Sequence, residues 1–323
     1  MSPRARVVTW SPSVTLVPTR SCFNRCGYCS FRDPIDPRAP LAGLLAPELA
    51  LGLLDSRPGA AEVLLLSGEV APGSPRRPTW FAALLGLSRL ALHAGRLPHT
   101  NAGPLSDREM AALGRLNPSM GLMLEGLGPA YEALHRQAPS KRLEVRLGQL
   151  EQAGRLGIPF TTGLLLGVGE TRADQREALE LLALLHRTWG HIQEVILQPF
   201  RPGGEAAAPL APAEALPLLD LIAEARQILP AEVHLQLPPN LWPRDLLLDA
   251  IAAGIDDLGG LDTEDVINPA YPQPGPAALA ELLGTAGWEL RPRLCVHPRW
   301  IPWLPMTLRA AAEAAAQRLS PDG

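Results

Sequence analysis

The sequence lacks the features that mark several common classes of protein. Its 323 residues include only four cysteines, three tyrosines and one lysine, and no uncharged apolar run is long enough for a membrane span. The net charge of −4, without a basic stripe, is not typical of a nucleic-acid-binding protein. The first residues, MSPRARVVTWSP, lack the apolar core of a secretion signal. We therefore expect a cytoplasmic protein that binds neither membranes nor nucleic acids, and in which disulfides are rare.

The scarcity of lysine belongs to a wider bias in composition. Lys141 is the only lysine, whereas arginine, alanine, proline and glycine, which have GC-rich codons, are abundant. The bias indicates a GC-rich genome, so individual prolines and arginines are weaker indications of function than they would otherwise be.

Short apolar runs alternate with amphipathic stretches along most of the chain. The runs predict strands at 14–19, 63–68, 96–101, 119–126, 159–167, 194–200, 233–238 and 255–260. The stretches between them predict helices at 44–55, 79–94, 106–115, 143–156, 171–188, 212–229 and 243–253. Such alternation is typical of an α/β protein, and eight units match a (β/α)8 TIM-type barrel. We expect one domain over 1–323, with the barrel at 14–260 and a C-terminal extension at 261–323.

Nearly every predicted strand ends in polar or glycine-rich residues. In order these segments are SCFNRCGYC, SGE, HTNAG, LEG, GVGET, QPFRP, PPN and DDLGG. In barrels of this kind the active site lies at the C-terminal ends of the strands. The same residue types are also common in turns, which explains some of the glycines but explains Glu69, Glu125 and His99 less well. The pattern predicts a polar pocket at the barrel mouth.

Three of the four cysteines lie in one short segment, Cys22, Cys26 and Cys29, with the spacing CxxxCxxC. A structural zinc site needs four ligands, and no fourth cysteine is near, because Cys295 lies in a predicted strand where it fits a small buried hydrophobe. Thiolates also bind the iron corners of iron–sulfur clusters. Three thiolates would leave one iron of a [4Fe–4S] cluster open to a small molecule. We favour the cluster, with a zinc-binding scaffold as the alternative.

The CxxxCxxC motif after the first strand of a barrel resembles that of the radical S-adenosylmethionine (SAM) enzymes. The resemblance implies that SAM binds the open iron. It also implies that an electron from the cluster cleaves SAM to methionine and a 5′-deoxyadenosyl radical, which abstracts hydrogen from the substrate. Tyr28 corresponds to the family's aromatic residue near the adenine, although ordinary loop packing would also place a tyrosine there. Gly68 and Glu69 correspond to its GE motif, whose carboxylate accepts hydrogen bonds from the SAM ammonium.

Later segments have counterparts in the same family. Glu125, in LMLEG, corresponds to the polar residue that contacts the ribose or methionine end of SAM. Arg146 corresponds to an arginine that binds the methionine carboxylate, although a helical arginine is also often only solvated. GLLLGVGE, which contains Gly167, resembles the adenine-binding element of the fifth strand. Gln198, at the end of the sixth strand, is a further expected cofactor contact.

The resemblance narrows to one branch of this superfamily. The blocks that carry it are PHTNAG, NPSMGLMLE, AGRLGIPFTTGLLLGVGET, HIQEVILQPFRP, LPPNL and GIDDLGGLDTEDVINP. They resemble, in the same order, those of the CofG subunit of 7,8-didemethyl-8-hydroxy-5-deazariboflavin (F0) synthase. The resemblance implies a carbon–nitrogen lyase that closes the deazaflavin ring of an adduct of hydroxybenzyl and ribitylaminouracil, releasing ammonium. It also implies two partners: a CofH-type subunit that supplies the adduct, and a one-electron donor such as flavodoxin or ferredoxin.

The adduct is polar at both ends, so its pocket needs hydrogen-bonding side chains. We expect Asn101, Gln193, Asn240 and Asp256 to bind the substrate. We expect His99 and Asp257 to act as general acid and base, although a backbone-bonded histidine or a turn aspartate would look the same in the sequence. Two departures from the family pattern, Asp256 in place of asparagine and QPFRPGGEA in place of QNFRPKPGT, lie on this substrate side. A CofH-type enzyme, which uses tyrosine and the diaminouracil, is the enzymatic alternative.

Overall fold

The computed structural model describes residues 6–33, 43–201 and 210–319. Its strands are β1 (Arg6–Leu16), β2 (Glu62–Leu66), β3 (Leu97–Asn101), β4 (Ser119–Gly121), β5 (Phe160–Leu166), β6 (Ile192–Pro199), β7 (His234–Gln236), β8 (Asp257–Leu261) and β9 (Trp288–Pro292). The first eight are parallel and form a closed barrel, in which each strand pairs with the next and β8 and β2 both pair with β1. The predicted (β/α)8 barrel is therefore confirmed.

The helices cover the outside of the barrel. They are α1 (Pro47–Asp55), α2 (Arg77–His93), α3 (Asp107–Gly114), α4 (Pro129–Leu134), α5 (Leu143–Arg155), α6 (Arg172–Trp189), α7 (Pro212–Ile228), α8 (Leu247–Ala253), α9 (Pro276–Thr285) and α10 (Met306–Leu319). Short 3₁₀ helices lie at Pro139–Lys141, Pro239–Leu241, Arg244–Leu246 and Pro298–Trp303. Across the described ranges, no helix combines the length and the apolar character needed to cross a membrane.

The unit of β5 and α6 shows how the sequence forms this architecture. All seven residues of β5, FTTGLLL, are buried, as is typical of a parallel strand covered on both faces. Thr171 and Asp174 then form a capping box that begins α6. The helix ends at Gly190, whose φ of 69° is a left-handed conformation that glycine adopts without strain.

Several strand boundaries differ from those predicted, for example that of β4, which ends at Gly121 rather than at 126, and the difference at β8 moves candidate residues. β1 begins at Arg6 rather than at 14, because its first half pairs with β8 and β9, both distant in sequence. β8 begins at Asp257, so the prediction that Asp256 and Asp257 lie at its C-terminal end is wrong. The physical reason is that Gly259 and Gly260, which have the composition of a turn, lie inside the strand. The two aspartates therefore lie at the end of the barrel opposite the mouth.

The C-terminal extension closes that opposite end, which we call the barrel floor. β9 pairs with the first half of β1, from Arg6 opposite Trp288 to Trp10 opposite Pro292. The residues after β9 then pack under the N-terminal ends of β2 and β3, in a second apolar core that includes Ala61, Leu97, Leu294, Cys295, Val296, Trp300, Leu308 and Ala312. Residues 293–297 thereby lie across the floor of the barrel.

Candidate active site

The loop after β1 carries Cys22, Cys26 and Cys29 into one cavity at the barrel mouth, which we call the cysteine cavity. Cys26 is buried and the other two are partly exposed. The loop is anchored to the segment after β2, because the Phe23 N–H donates to the Glu69 carbonyl at 3.0 Å. Further lining comes from the rest of this loop, from the segments at and after the ends of several strands, from the segment before α5 and from α5 itself, and includes Asn24, Tyr28, Glu69, Asn101, Glu125, Lys141, Arg146 and Gln198.

The donor set of this cavity fits a cluster better than a single metal ion. A tetrahedral zinc ion with bonds of about 2.3 Å would hold its thiolates about 3.8 Å apart. Among the described residues, the one group of three metal-ligating side chains whose ligand atoms lie within 4.8 Å of one another is Glu194, Asp257 and His297, elsewhere in the barrel. The Sγ atoms of the three cysteines therefore do not all lie within that distance, which is farther apart than one zinc ion requires and is compatible with ligands to separate iron corners of a cluster.

The thiols of Cys22 and Cys26 are protonated at neutral pH until a metal site forms. Burial raises the pKa of Cys26 to about 11, although the nearby Lys141 ammonium lowers it. Burial, together with the Glu69 carboxylate, also raises the pKa of Cys22. Binding of a cluster therefore has to displace protons from these side chains.

Glu69 is held by three donors at the edge of the cysteine cavity. Arg146 Nη2 lies 3.1 Å from Oε1 of Glu69, Asn24 Nδ2 donates to Oε2 at 2.9 Å, and the Ser140 hydroxyl also donates to Oε2. Arg146 is only 2% exposed, and its Nε atom has no partner within the described residues. The structure thus pairs two residues that the sequence assigned separately to the SAM ammonium and carboxylate.

Gly68 allows the chain after β2 to lie directly against the cysteine loop. Its N–H donates to the Thr19 carbonyl at 2.7 Å. A Cβ atom at this position would lie 2.3 Å from the Ser21 carbonyl oxygen. Only glycine fits here, because the obstructing atom belongs to the backbone of the loop that carries Cys22.

The buried Glu125 and the partly buried Tyr28 and Lys141 form a hydrogen-bonded triad on another side of the cysteine cavity. The Tyr28 hydroxyl donates to Oε2 of Glu125 at 2.8 Å, and Lys141 Nζ donates both to the Tyr28 oxygen at 2.8 Å and to Oε1 of Glu125. Burial alone would raise the pKa of Glu125, but the positive charges of Lys141 and Arg146 lower it to about 2. Glu125 is therefore a carboxylate at neutral pH. The burial of Tyr28 and the negative charge of Glu125 both raise the pKa of Tyr28.

The backbone of Glu125 is also unusual. Its φ of 75° is left-handed, and it is the one non-glycine residue with positive φ within the described ranges. Its carbonyl accepts from Leu165 N–H at 2.8 Å and its N–H donates to the Gly163 carbonyl at 3.0 Å. The neighbouring strand β5 thus holds a conformation that points the carboxylate into the cavity, and strain of this kind is concentrated at functional sites.

Gly167 and Gln198 lie differently with respect to the cavity. The Gly167 N–H donates to Glu170 Oε1 at 2.8 Å, and its φ of 89° forms the turn after β5. Gly167 does not line the cysteine cavity, whereas Gln198 does. Gln198 also lines a second cavity inside the barrel, as do Asn101 and Ile267, so the two cavities share a wall.

The second cavity, which we call the barrel cavity, runs from the segment after β8 down to the floor. Its mouth side includes Asn240, Asp265 and Gln273, and its floor side includes Glu62, His99, Glu194, Arg293 and Cys295. Asn240 Nδ2 donates to Asp265 Oδ2 at 2.8 Å, and its Oδ1 atom has no partner within the described residues. Polar groups thus line both ends of a cavity that could receive a small molecule through the mouth.

His99 presents an unprotonated nitrogen to the barrel cavity. The Ser119 hydroxyl donates its single hydrogen to the Cys295 carbonyl at 2.8 Å, so the contact of 2.7 Å between Ser119 Oγ and His99 Nδ1 requires that Nδ1 carry the proton. Nε2 is then the free acceptor. Burial and the Arg293 charge lower the pKa of His99 to about 3, so the ring is neutral.

Three other predicted substrate-side residues do not line the barrel cavity. Gln193 is fully buried and holds the floor, because its Nε2 donates to the Cys295 carbonyl at 2.9 Å and its Oε1 accepts from His297 N–H at 3.1 Å. Asp256 accepts from Leu235 N–H at 2.8 Å beneath the barrel. Asp257, the first residue of β8, is also fully buried. The expected roles of these three in substrate binding or proton transfer do not fit their positions.

Arg293 is the centre of a buried charge network under the barrel cavity. It donates to Asp257 from Nε at 2.5 Å and from Nη2 at 2.7 Å, and from Nη2 to Glu194 at 2.7 Å. The hydroxyl of Thr9 and the N–H of Gly259 complete the shell of Asp257 at 2.5 Å and 2.6 Å. Asp257 therefore holds Arg293 in place, and the guanidinium supplies the positive charge that a metal between Glu194 and Asp257 would otherwise supply.

Four site residues, Glu62, Lys141, Glu194 and Arg293, were not predicted. Glu194 could have been found as a charged residue at the beginning of the apolar run EVILQPF. Lys141 could have been found as the one lysine in a chain that otherwise uses arginine, a fact that codon bias alone also explains. Glu62 and Arg293 offered no comparable pattern, because each meets the cavity only through the fold.

Comparison with known proteins agrees with this geometry. Residues 16–182, more than half of the chain, match the family model described as the radical SAM superfamily. Curated relatives named 7,8-didemethyl-8-hydroxy-5-deazariboflavin synthase match nearly the whole chain. That of Synechococcus elongatus is 50% identical over 98% of this chain and 94% of its own length. That of Thermosynechococcus vestitus is 51% identical over 94% of this chain and 96% of its own.

Solved structures support the fold. The FeFe-hydrogenase maturase HydG from Carboxydothermus hydrogenoformans superposes with a TM-score of 0.71 at 18% identity, covering 97% of this chain and 77% of that one. Methylornithine synthase (PylB) superposes with a TM-score of 0.62 at 15% identity, covering 88% and 83%. At such identities the likeness concerns the fold alone.

Proposed function

We propose that this chain, which belongs to the radical SAM superfamily and within it to the 7,8-didemethyl-8-hydroxy-5-deazariboflavin synthases, closes the tricyclic ring of F0 from a hydroxybenzyl–ribitylaminouracil adduct. The observation that carries the proposal is the identity of about half of all residues over nearly the full length of relatives with that name. The adjoining cysteine and barrel cavities support it, because the reaction needs a cofactor and a polar small molecule side by side.

The residues of the cysteine cavity are suited to hold a [4Fe–4S] cluster and SAM. Cys22, Cys26 and Cys29 would hold the cluster, which when bound supplies the electron that cleaves SAM to methionine and the hydrogen-abstracting 5′-deoxyadenosyl radical. Glu69 would accept from the SAM ammonium and Arg146, which has an unpartnered Nε, would donate to its carboxylate. Gly68, Gly167 and Gln198 remain proposed contacts of the cofactor side.

Tyr28, Glu125 and Lys141 would order the nucleoside end of SAM. Glu125 is ionised and its side chain is fixed by two donors, so it offers a rigid acceptor for hydroxyl groups of the ribose. Tyr28 lines the same cavity and would pack near the adenine. Burial of these groups excludes water from a site that has to contain a reactive radical.

The barrel cavity would bind the adduct. Asn101 and Asn240 line it, and His99 offers a neutral acceptor nitrogen towards the rings. The adduct would come from a CofH-type subunit, and the electron from a donor such as flavodoxin or ferredoxin. The products besides the deazaflavin would be 5′-deoxyadenosine, methionine and ammonium.

The test is to supply the reconstituted, reduced protein anaerobically with the preformed adduct and SAM. We expect a fluorescent deazaflavin together with 5′-deoxyadenosine and ammonium. Formation of deazaflavin or adduct from tyrosine and the diaminouracil, but no turnover of the preformed adduct, would instead assign the CofH-type reaction. One bound zinc and no iron after reconstitution would assign the zinc scaffold.

A further inference from the structure

The floor of the barrel cavity contains a carboxylate, Glu194, that is held on one side and open on the other. Its Oε2 atom accepts from Arg293 Nη2 at 2.7 Å and from His297 Nε2 at 3.0 Å. Its Oε1 atom has no hydrogen-bond partner within the described part of the chain, and the side chain lines the cavity. A proton on Glu194 therefore belongs on Oε1, the oxygen available to a bound molecule.

The surroundings of Glu194 favour the protonated acid near neutral pH. Burial raises its pKa to about 8 against the opposing charge of Arg293, and the charges of Asp257, Glu62 and Asp256 add to the increase. His297, the other group in contact, is neutral because burial and the Arg293 charge lower its pKa well below the usual value, and it stacks on His234 at 3.8 Å. The single Arg293 guanidinium faces the buried carboxyl groups of Glu194, Asp257 and Glu62, and this excess of negative charge favours a proton on Glu194.

The two residues expected from the sequence to transfer protons are less suited to the task. His99 is neutral with a pKa of about 3, and its one ring proton lies on Nδ1 towards Ser119, so the Nε2 atom that faces the cavity accepts a hydrogen bond but has no proton to deliver. Asp257 is fully buried, accepts from Arg293, Thr9 and Gly259, and does not line the cavity. Glu62 does line it, and its pKa is raised by burial, so it is the comparison residue for any test.

We propose that Glu194 is the residue that exchanges protons with the substrate during loss of ammonia. This inference rests on the proposed function. The Oε1 proton passes to the amine nitrogen of the substrate, and ammonia departs with the electron pair of the carbon–nitrogen bond. The Glu194 carboxylate then takes a proton from a neighbouring ring position, whose bonding pair forms the new double bond. The step loses one ammonia, needs no oxidant and returns Glu194 to its acid form.

The test compares Glu194→Gln, which keeps the shape but cannot exchange a proton, with Glu180→Gln on the exposed face of α6. With adduct and SAM, we expect Glu194→Gln to form 5′-deoxyadenosine at a rate near that of the unmodified protein. Its deazaflavin formation should fall by about 10²–10⁴-fold, the usual contribution of general acid–base catalysis. Glu180→Gln should match the unmodified protein in both products. Iron content and SAM affinity, measured on both variants, report whether each has folded.

A pH profile separates proton transfer from a structural role. In the unmodified protein, deazaflavin formation should decrease as the pH rises through about 8, as Glu194 loses its proton. Glu194→Asp, which keeps the acid, and Glu62→Gln should retain that decrease, and Glu194→Gln should lose it. Full deazaflavin formation by Glu194→Gln, or an equal loss of both products, would overturn the proposal. Absence of deazaflavin from the unmodified protein would instead overturn the proposed function on which it rests.

Discussion

The Nζ atom of Lys141 lies 2.8 Å from the hydroxyl oxygen of Tyr28, the residue that directly precedes Cys29. The same ammonium donates to Glu125, and its side chain is only 14% exposed. The one lysine of this arginine-rich chain is therefore a partly buried counter-ion in the cysteine cavity. A compact ammonium can donate to two oxygens at this depth, whereas a planar guanidinium has a different shape and donor geometry.

Replacing Lys141 by Met should destabilise the protein by about 3 kcal/mol, because a buried carboxylate then loses its counter-ion. The double variant Lys141→Met, Glu125→Gln should recover most of that loss, since neither charge remains. Denaturant unfolding of the two single variants and the double variant measures the coupling. Losses that simply add would show that the two side chains are not energetically coupled.

The ion pair should also be visible in the pH dependence of stability. The pKa of Glu125 in the folded protein, about 2, lies below its usual value of 4.5. Its contribution is therefore fully present above pH 4.5 and is lost as the pH falls towards 2, by about 3 kcal/mol in total. The difference in unfolding free energy between the unmodified protein and Glu125→Gln should shrink over this range. A difference that is constant with pH would contradict the assignment.

Glu69→Gln should weaken SAM binding by about 1–3 kcal/mol, or about 5–150-fold, through loss of a charged acceptor. The variant also leaves the buried Arg146 guanidinium without its carboxylate partner. Equilibrium SAM binding to the cluster-loaded protein measures the effect, with Glu180→Gln as the surface control. Unchanged affinity would remove Glu69 from the proposed SAM site.

Cys26→Ala should abolish stable cluster binding, because two thiolates hold a four-iron cluster poorly. Iron content after anaerobic reconstitution should fall from about four per chain to below one. Cys295→Ala is the matched control, since this thiol lies at the barrel floor away from the cysteine cavity. Equal iron loss in both variants would point to general misfolding rather than ligation.

Gly68→Ala should disturb the cysteine loop by forcing a Cβ atom against the Ser21 carbonyl. We expect a loss of about 1–3 kcal/mol in unfolding free energy, together with weaker cluster retention. Gly86→Ala, on the exposed side of α2 with no heavy atom within 4 Å of the added Cβ, should instead stabilise by about 0.5–1 kcal/mol. A decrease in unfolding free energy for Gly68→Ala and an increase for Gly86→Ala would distinguish the steric contact at Gly68 from the ordinary effect of helix propensity. Full cluster retention and unchanged stability in Gly68→Ala would contradict the close contact.

The barrel and the cysteine cavity were predictable because their determinants are local. The period of apolar residues indicates each strand and helix, and parallel strands bring their C-terminal ends to one mouth. Cys22, Glu69 and Glu125 could therefore be assigned to one pocket from the sequence alone. The residues that hydrogen-bond to these side chains could not be predicted in the same way. The contact of Asn24 with Ser140, for example, joins residues that no periodic pattern relates.

The barrel floor was not predictable, because its contacts also join residues that are distant in the sequence. Arg293 meets Glu194 across 99 positions of the chain, and only the register of β9 on β1 brings it there. A small error in β8 was enough to move Asp257 from the floor to the mouth in the prediction. Glycines inside that strand have the composition of a turn, and the sheet pairing that overrides this tendency is non-local.

Residues 293–297, which cross the floor of the barrel, close the barrel cavity on the side opposite the mouth. Asn101, Gln198 and Ile267 line both cavities, so these three side chains form a common boundary between the cysteine cavity and the space above Glu194. The two cavities are therefore not independent compartments. A side chain of this boundary that moves to fit a molecule on one side changes the shape offered to a molecule on the other side.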